Sequence, residues 1–343
     1  MSVVVTEYDP DWPARFEAEA EGLARVFGPQ AIGIMHIGST SVPGLAAKPV
    51  IDIMPVVRDI TAVDSLNAAM ERLGYEAMGE YGIAGRRYFR KGATARRYHV
   101  HVYEAGSAEA LRHLAFRDFL RAHGDIARRY GALKAELAAC FSGDIEAYMD
   151  GKDPFIKKTE RDAIAWWARV PVIVLSGPVG AGKTTVGEAL SDLLSCQRIA
   201  HACVDVDALS SIYPRSPGDR FGSAFALANL QALWRNARSC GARCLIAARV
   251  IEDEGELHAL QEVVPDAHPV LVRLRAPLTV LQERLRRRER GPSLAWHLDR
   301  AAQLADQLDR SGPADLVVDA GETTPEQIAQ EIWERAGITA WLT

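Results

Sequence analysis

The sequence predicts an α/β chain of two unlike domains: an α+β first half over residues 1–168, then a doubly wound parallel sheet with helices on both faces over 171–343. Three observations predict this. The 343 residues exceed the ~100–200 of an ordinary domain. Strands come early and helices late up to about residue 168, whereas from Val172 onward strand and helix patterns alternate, as a parallel sheet requires. One of those strands runs straight into a glycine turn that opens a helix. With 48% hydrophobic and 25% charged residues, global disorder and a collagen-like fibre are excluded.

In the first half, Trp12, Phe16, Leu23 and Phe27 recur at helical spacing around Pro13, a favourable early-helix residue. Residues 32–37 and 50–57 read as short buried strands, joined by the turn-rich segment from Gly38 to Gly44. Val63, Leu66, Met70 and Leu73 predict a helix that stops at Gly74. Strand-like runs follow near 88–90 and 98–103, and helical patterns fill 108–168.

Within this half, Gly38 and Ser39 at a strand end offer a backbone N–H and a hydroxyl suited to a phosphate. Asp52 lies in a strand, and His99 and His101 share one face of theirs, so the three can meet around a divalent ion or a phosphate. The competing reading is a polar, solvent-facing edge strand. Arg86, Arg87, Lys91, Arg96 and Arg97 flank this region, either recognising an anionic substrate or blunting a sheet edge.

In the second half, residues 172–176 form a buried-strand pattern leading into Gly177-Pro178-Val179-Gly180-Ala181-Gly182-Lys183-Thr184. This is G-x-x-x-x-G-K-S/T with every fixed position filled. Glycines let backbone N–H groups curl around phosphate oxygens, and the following helix over 186–194 adds its N-terminal partial charge. Lys183 then reaches the β/γ-phosphates, Thr184 offers a hydroxyl to Mg²⁺, and Thr185 a further phosphate contact. ATP and Mg²⁺ are the cofactors expected.

The next strand, 202–207, carries Asp205 and Asp207 at alternate positions, hence on one face. Asp205 is assigned as general base or metal-side acid and Asp207 as the group orienting an acceptor, with capping of a helix near Ala208 as the alternative. A helix over 278–290 packs Arg284, Arg286, Arg287, Arg288 and Arg290 into one run, and Arg284 and Arg288 fall on one face. Such a lid would offset charge on a triphosphate, while the interleaved Glu283 and Glu289 suit a solvated face. Strand 243–249 ends without an aspartate, and Arg249, Arg215 and Arg220 are candidates for holding a substrate. Residues 316–319 read as the last strand, Thr324 to Gln327 as a capping box, and the loop 320–323 as a resting place for adenine.

Lys+Arg 40 against Asp+Glu 45 gives −5, which leaves no basic excess to attract nucleic acid or anionic lipid. The five cysteines are odd in number and form no C-x-x-C pair, as expected of reduced thiols in a cytoplasm. The apolar stretch 170–175 falls far short of the ~20 residues that span a bilayer. The N-terminus turns acidic before any signal-like segment develops.

On these residues, 171–343 resembles the small kinases of P-loop NTPase fold related to gluconate, adenylylsulfate and chloramphenicol kinases. The resemblance rests on Gly177, Gly182, Lys183, Thr184, the Asp205/Asp207 pair and the arginine lid. The string from His36 through Gly38, Ser39, Pro43, Gly44, Lys48 and Pro49 to Asp52 resembles the GrpB family, whose fold is that of the nucleotidyltransferase superfamily. Tyr8, Trp12 and Pro13 before it and Tyr98, His99 and His101 after it belong to the same pattern, which extends from about residue 3 to 167 and takes in Arg117, Asp118, Tyr130, Lys134, Tyr148 and Lys152. Transferases of that superfamily hold two metals with a D-x-D pair, and here the second position is Met54.

The function these resemblances imply is transfer of the γ-phosphate of ATP to a hydroxyl of a small molecule by the second domain. Three alternatives stand beside it. One is a nucleotide-sensing binding module. Another is a dephospho-CoA-kinase-like enzyme with its domain order reversed. The third is a nucleotidyltransferase in the first domain, with Gly38, Ser39, Lys48, Asp52, His99 and His101 as its substrate set. The acceptor and the oligomeric state are left open.

Overall fold

Pro13 has no N–H to lose in a first helical turn, and it starts α1 (Trp12–Phe27), which buries Trp12, Leu23 and Phe27 along one stripe. The chain continues through β1 (Ala31–Ile37), β2 (Ile51–Val57), α2 (Asn67–Arg72), β3 (Tyr75–Ala77), β4 (Arg87–Lys91) and β5 (Tyr98–Glu104). Three helices follow: α3 (Ala108–Ala122), α4 (Gly124–Cys140) and α5 (Ile145–Ala168). The computed structural model describes residues 4–92, 97–215, 217–219 and 221–337. Its contacts divide the chain into two compact units, Met1–Ala168 with Arg238–Gly241, and Arg169–Ala237 with Ala242–Thr343.

The first unit's sheet has the order β1-β2-β5-β4-β3, with β2 and β5 parallel and the other pairs antiparallel. Side-chain alternation splits β2 and β5 between two cores. Ile51, Ile53, Val100 and Val102 pack with Trp12, Leu23 and Phe27 of α1. Met54, Val56 and Tyr103 pack with Leu114 and Ala115 of α3. Asp52, His99 and His101 alternate with the α1-facing residues and so belong to the second face. The stripe expected as one helix over 63–73 divides into a 3₁₀ segment, Thr61–Leu66, and α2.

The second unit contains β6 (Val170–Ser176), α6 (Lys183–Cys196), β7 (His201–Asp205), α7 (Ser223–Ser239) up to Ala237, β8 (Cys244–Ala248) and α8 (Glu254–Val263). It ends with β9 (Ala267–Arg275), α9 (Leu278–Arg288), α10 (Pro292–Ser311), β10 (Leu316–Asp319) and α11 (Pro325–Arg335). Its sheet is parallel throughout, in the order β10-β9-β6-β8-β7. Ile173 and Leu175 face Leu190 of α6 and Ile328 of α11. Val172 and Val174 face Leu230 and Trp234 of α7 and Leu260 of α8. β6 is buried on both faces at the sheet's centre, so the glycine turn after it leaves from the carboxyl edge where open α/β sheets bind ligands. Among the described residues no helix is long and apolar enough to cross a membrane.

Candidate functional site

The turn after β6 takes a shape that side chains would obstruct. Gly177 has φ +140°, and a Cβ there would lie 2.5 Å from the Leu274 carbonyl oxygen. Gly180, at φ +88°, would meet the Leu281 carbonyl at 3.1 Å, and Gly182, at φ +95°, sits at the N-cap of α6. Lys183 Nζ donates to the Gly177 carbonyl at 3.1 Å, folding the ammonium back over the loop. Burial lowers the Lys183 pKa, and the charges of Asp207 and Asp205 oppose that shift.

Asp205 and Asp207 were expected on one strand face. β7 instead ends at Asp205: after Val206 N–H donates to the Ala248 carbonyl at 2.9 Å, Asp205 Oδ1 accepts from Ala208 N–H at 3.2 Å and draws the chain into a turn. Asp207 heads the 3₁₀ segment Ala208–Ser210. Thr184 Oγ1 donates to Asp205 Oδ2 at 2.7 Å. Burial raises the Asp207 pKa and the Asp205 charge adds to it, while Lys183 and Arg249 act against the rise.

Both carboxylates line a cavity of about 570 Å³ together with Lys183, Thr184, Arg215 and Arg249. That volume suits a small-molecule site. Arg249, directly after β8, is only 5% exposed. Arg220 lies outside the described residues. The cavity also takes Trp296, His297 and Arg300 from α10, which the sequence reading missed. Their signal was the Gly291-Pro292 helix start and the i,i+4 pair Trp296/Arg300. Arg300 is paired with Glu252.

A second cavity, about 300 Å³, is bounded by Gly180, Thr185, Arg284, Arg288 and the loop residues Ala320 and Thr323. The arginine run divides here, contrary to its reading as one lid. Arg284 donates to the carbonyls of Ala320 at 2.8 Å and Gly321 at 3.2 Å, so its guanidinium ties the loop to α9. Arg287 pairs with Glu283, Arg290 returns to the Arg286 carbonyl at 2.8 Å, and Arg288 pairs with Glu289 while lining both cavities.

In the first unit, Asp52 Oδ1 lies 3.3 Å from His99 Nδ1 and 3.4 Å from His101 Nε2. Gly38, at φ +70°, runs so close that a Cβ would lie 2.4 Å from Asp52 Oδ2. Ser39 Oγ accepts from Lys134 Nζ at 2.9 Å. Lys48 and Lys152 lie over the Tyr148 ring at 4.6 and 5.2 Å, and Lys134 over the Tyr130 ring at 4.4 Å. Burial lowers all three lysines, Lys134 to about 7 and Lys152 to about 8, with Lys152 acting on Lys134 and Lys48 on Lys152. Three of the flanking cations are spent locally: Arg87 pairs with Asp64, Lys91 with Glu19, and Arg86 donates to the Tyr81 carbonyl. Arg96 lies outside the described residues.

Comparison with known proteins follows this division. The family model described as GrpB protein matches residues 2–162, and one described as AAA domain matches residues 173–306. The UPF0157 protein YqkA of Bacillus subtilis is 49% identical over 164 residues, 48% of this chain and 48% of that protein, so the match spans about half of that relative. The UPF0157 protein PA4798 of Pseudomonas aeruginosa is 41% identical over 167 residues, 48% of this chain and 68% of its own. The crystal structure of GrpB from Enterococcus faecalis is 50% identical, covering 47% of this chain and 98% of its own, at a TM-score of 0.46. Through residues 2–162 the chain belongs to the GrpB family, and it continues into a P-loop kinase-like domain matched over 173–306.

Proposed function

We propose that the second domain is an ATP-dependent phosphotransferase acting on a hydroxyl of a small molecule. The observation that carries this reading is the convergence, in one cavity, of Lys183, Thr184, Asp205 and Asp207 with Arg249. A phosphate-binding loop alone would serve a sensor equally well. Asp207, a carboxylate whose pKa desolvation raises beside that loop, adds what transfer requires, a base for the acceptor.

Thr184 Oγ1 and Asp205 Oδ2, hard oxygens 2.7 Å apart, fit Mg²⁺, which when bound would neutralise phosphate charge. β8 ends at Ala248 and Arg249 follows, so β7 supplies the metal-side acid. Lys183 holds the β/γ-phosphates, and Asp207 accepts the acceptor's hydroxyl proton as its oxygen bonds to the γ-phosphorus. The bond from that phosphorus to the bridging oxygen breaks, and ADP leaves. Arg249 and Arg300 orient the acceptor, and the Arg284-tied loop flanks the adenine.

The test is acceptor-dependent ADP release from the full chain, with intact mass of the product, across small hydroxylated metabolites, antibiotics and dephospho-CoA. Asp207→Asn is expected to bind Mg-ATP but lose transfer, and Lys183→Ala to lose both. Mg-ATP binding with no acceptor-dependent turnover anywhere in the panel overturns the reading in favour of a nucleotide sensor.

A further inference from the structure

The first domain holds polar groups that nothing in phosphotransfer uses. β2 and β5 run parallel with Asp52 opposite His99, and His101 lies two residues on along the same face. One donor atom from each of these three side chains lies within 4.8 Å of the other two. Both imidazoles turn one nitrogen to the same carboxylate oxygen. Their outer nitrogens, His99 Nε2 and His101 Nδ1, are buried without a hydrogen-bond partner among the described residues. The inner nitrogens converge on Asp52 although the outer ones gain no hydrogen bond. An acid at position 54 would have offered oxygen donors for Mg²⁺, but Met54 is wholly buried in the core against α3. Two imidazoles and one carboxylate instead favour a transition metal.

The neighbouring lysines reinforce this. Gly38 passes directly over Asp52, and the next residue, Ser39, receives Lys134. Lys48 and Lys152 share the Tyr148 ring, and among the described residues no carboxylate forms an ion pair with any of the three lysines. Lys134 is 3% exposed. The ammonium groups, Lys134 buried and Lys48 and Lys152 half-buried, repel one another, with the Asp52 charge acting on Lys152, and an entering anion relieves that repulsion.

We propose that Asp52, His99 and His101 bind a divalent transition-metal ion, and that the adjoining Lys48, Lys134 and Lys152 take a phosphate-bearing anion beside it. The metal supplies one positive centre and the ammonium groups the others. Ser39 supplies a hydroxyl between them.

The test uses the full chain free of nucleotide, treated with chelator and titrated with Co²⁺. One equivalent is expected to bind with visible d–d absorption and no thiolate charge-transfer band, and excess Mg²⁺ is expected not to displace it. His99→Ala and His101→Ala are each expected to weaken binding at least ~10-fold. Asp52→Asn repeats the measurement if either variant fails to fold by its melting profile. Inorganic phosphate and pyrophosphate are expected to shift the Co²⁺ spectrum of the parent protein but not of Lys134→Met, with Lys157→Ala, on an exposed helix face, behaving as the parent. Acetate is expected to leave the spectrum unchanged. Absence of saturable binding, a thiolate band, or binding indifferent to both histidines overturns the metal site. An equal response to acetate, or a phosphate response that survives in Lys134→Met, overturns the anion cradle.

Discussion

Thr184 Oγ1 reaches Asp205 Oδ2 across 2.7 Å, joining the first turn of α6 to the end of β7. One residue comes from the phosphate loop and the other from the strand at the sheet's edge. The contact therefore fixes the acid relative to the loop through a short hydrogen bond.

Asp205→Asn keeps the Thr184 contact but removes a charge. Apparent Mg²⁺ affinity during ADP binding is expected to fall about 10–100-fold. Nucleotide affinity measured with EDTA present should stay close to the parent's. Calorimetric ADP titrations across a Mg²⁺ series separate the two.

Asp207 gives a prediction in pH. Its pKa is raised in the folded protein, by burial first. The group therefore favours folding below its ordinary carboxylate pKa, and that contribution is lost as pH rises through the raised value. Asp207→Asn removes the titrating group. It is expected to flatten the second domain's stability across the carboxylate pH range while lowering kcat some 10²–10⁴-fold. Parent kcat should fall on the acid side, below the raised pKa. Urea unfolding and a pH–rate profile check both halves.

How much of this was legible in the sequence depended on range. The phosphate loop was readable because each position answers a local demand: Gly177 and Gly182 need positive φ, and Lys183 must follow. The Asp205/Asp207 spacing was readable, but the strand's end was not, because it depends on Ala248 forty-odd residues away. The arginine run hid two fates, since the carbonyls that hold Arg284 belong to Ala320 and Gly321. Likewise Lys134 and Lys152, four residues after Tyr130 and Tyr148 on α4 and α5, stood within the GrpB-like pattern. Only the fold puts Lys134 on Ser39.

Arg284 is accordingly a positioning residue. Arg284→Met releases the loop over 320–323, and loss of hydrogen bonds to a charged donor is worth about 1.5–3 kcal/mol. The nucleotide KM is expected to rise about tenfold or more with kcat changed little, the signature of lost ground-state binding. Arg284→Lys should recover part of the KM. A fall in kcat at unchanged KM would instead restore Arg284 to the transition-state lid.

His36 carries a pH prediction in the first domain. Its Nε2 meets Thr40 Oγ1 at 3.0 Å and its ring stacks on Phe16, 4.8 Å between centroids. Burial, and then the Arg121 charge, lowers its pKa from 6.5 to about 4. The unfolded chain therefore binds this proton more readily, so the neutral ring's contribution is fully present above pH 6.5 and is lost as pH falls toward 4. At 1.36 kcal/mol per pKa unit, the interval amounts to about 3 kcal/mol. His36→Gln keeps a polar partner for Thr40 without a titrating ring. Its first-domain unfolding free energy is expected to change less than the parent's between those two pH values. Denaturant titrations of both proteins at each end measure the difference, and parallel losses would assign the acid sensitivity to other groups.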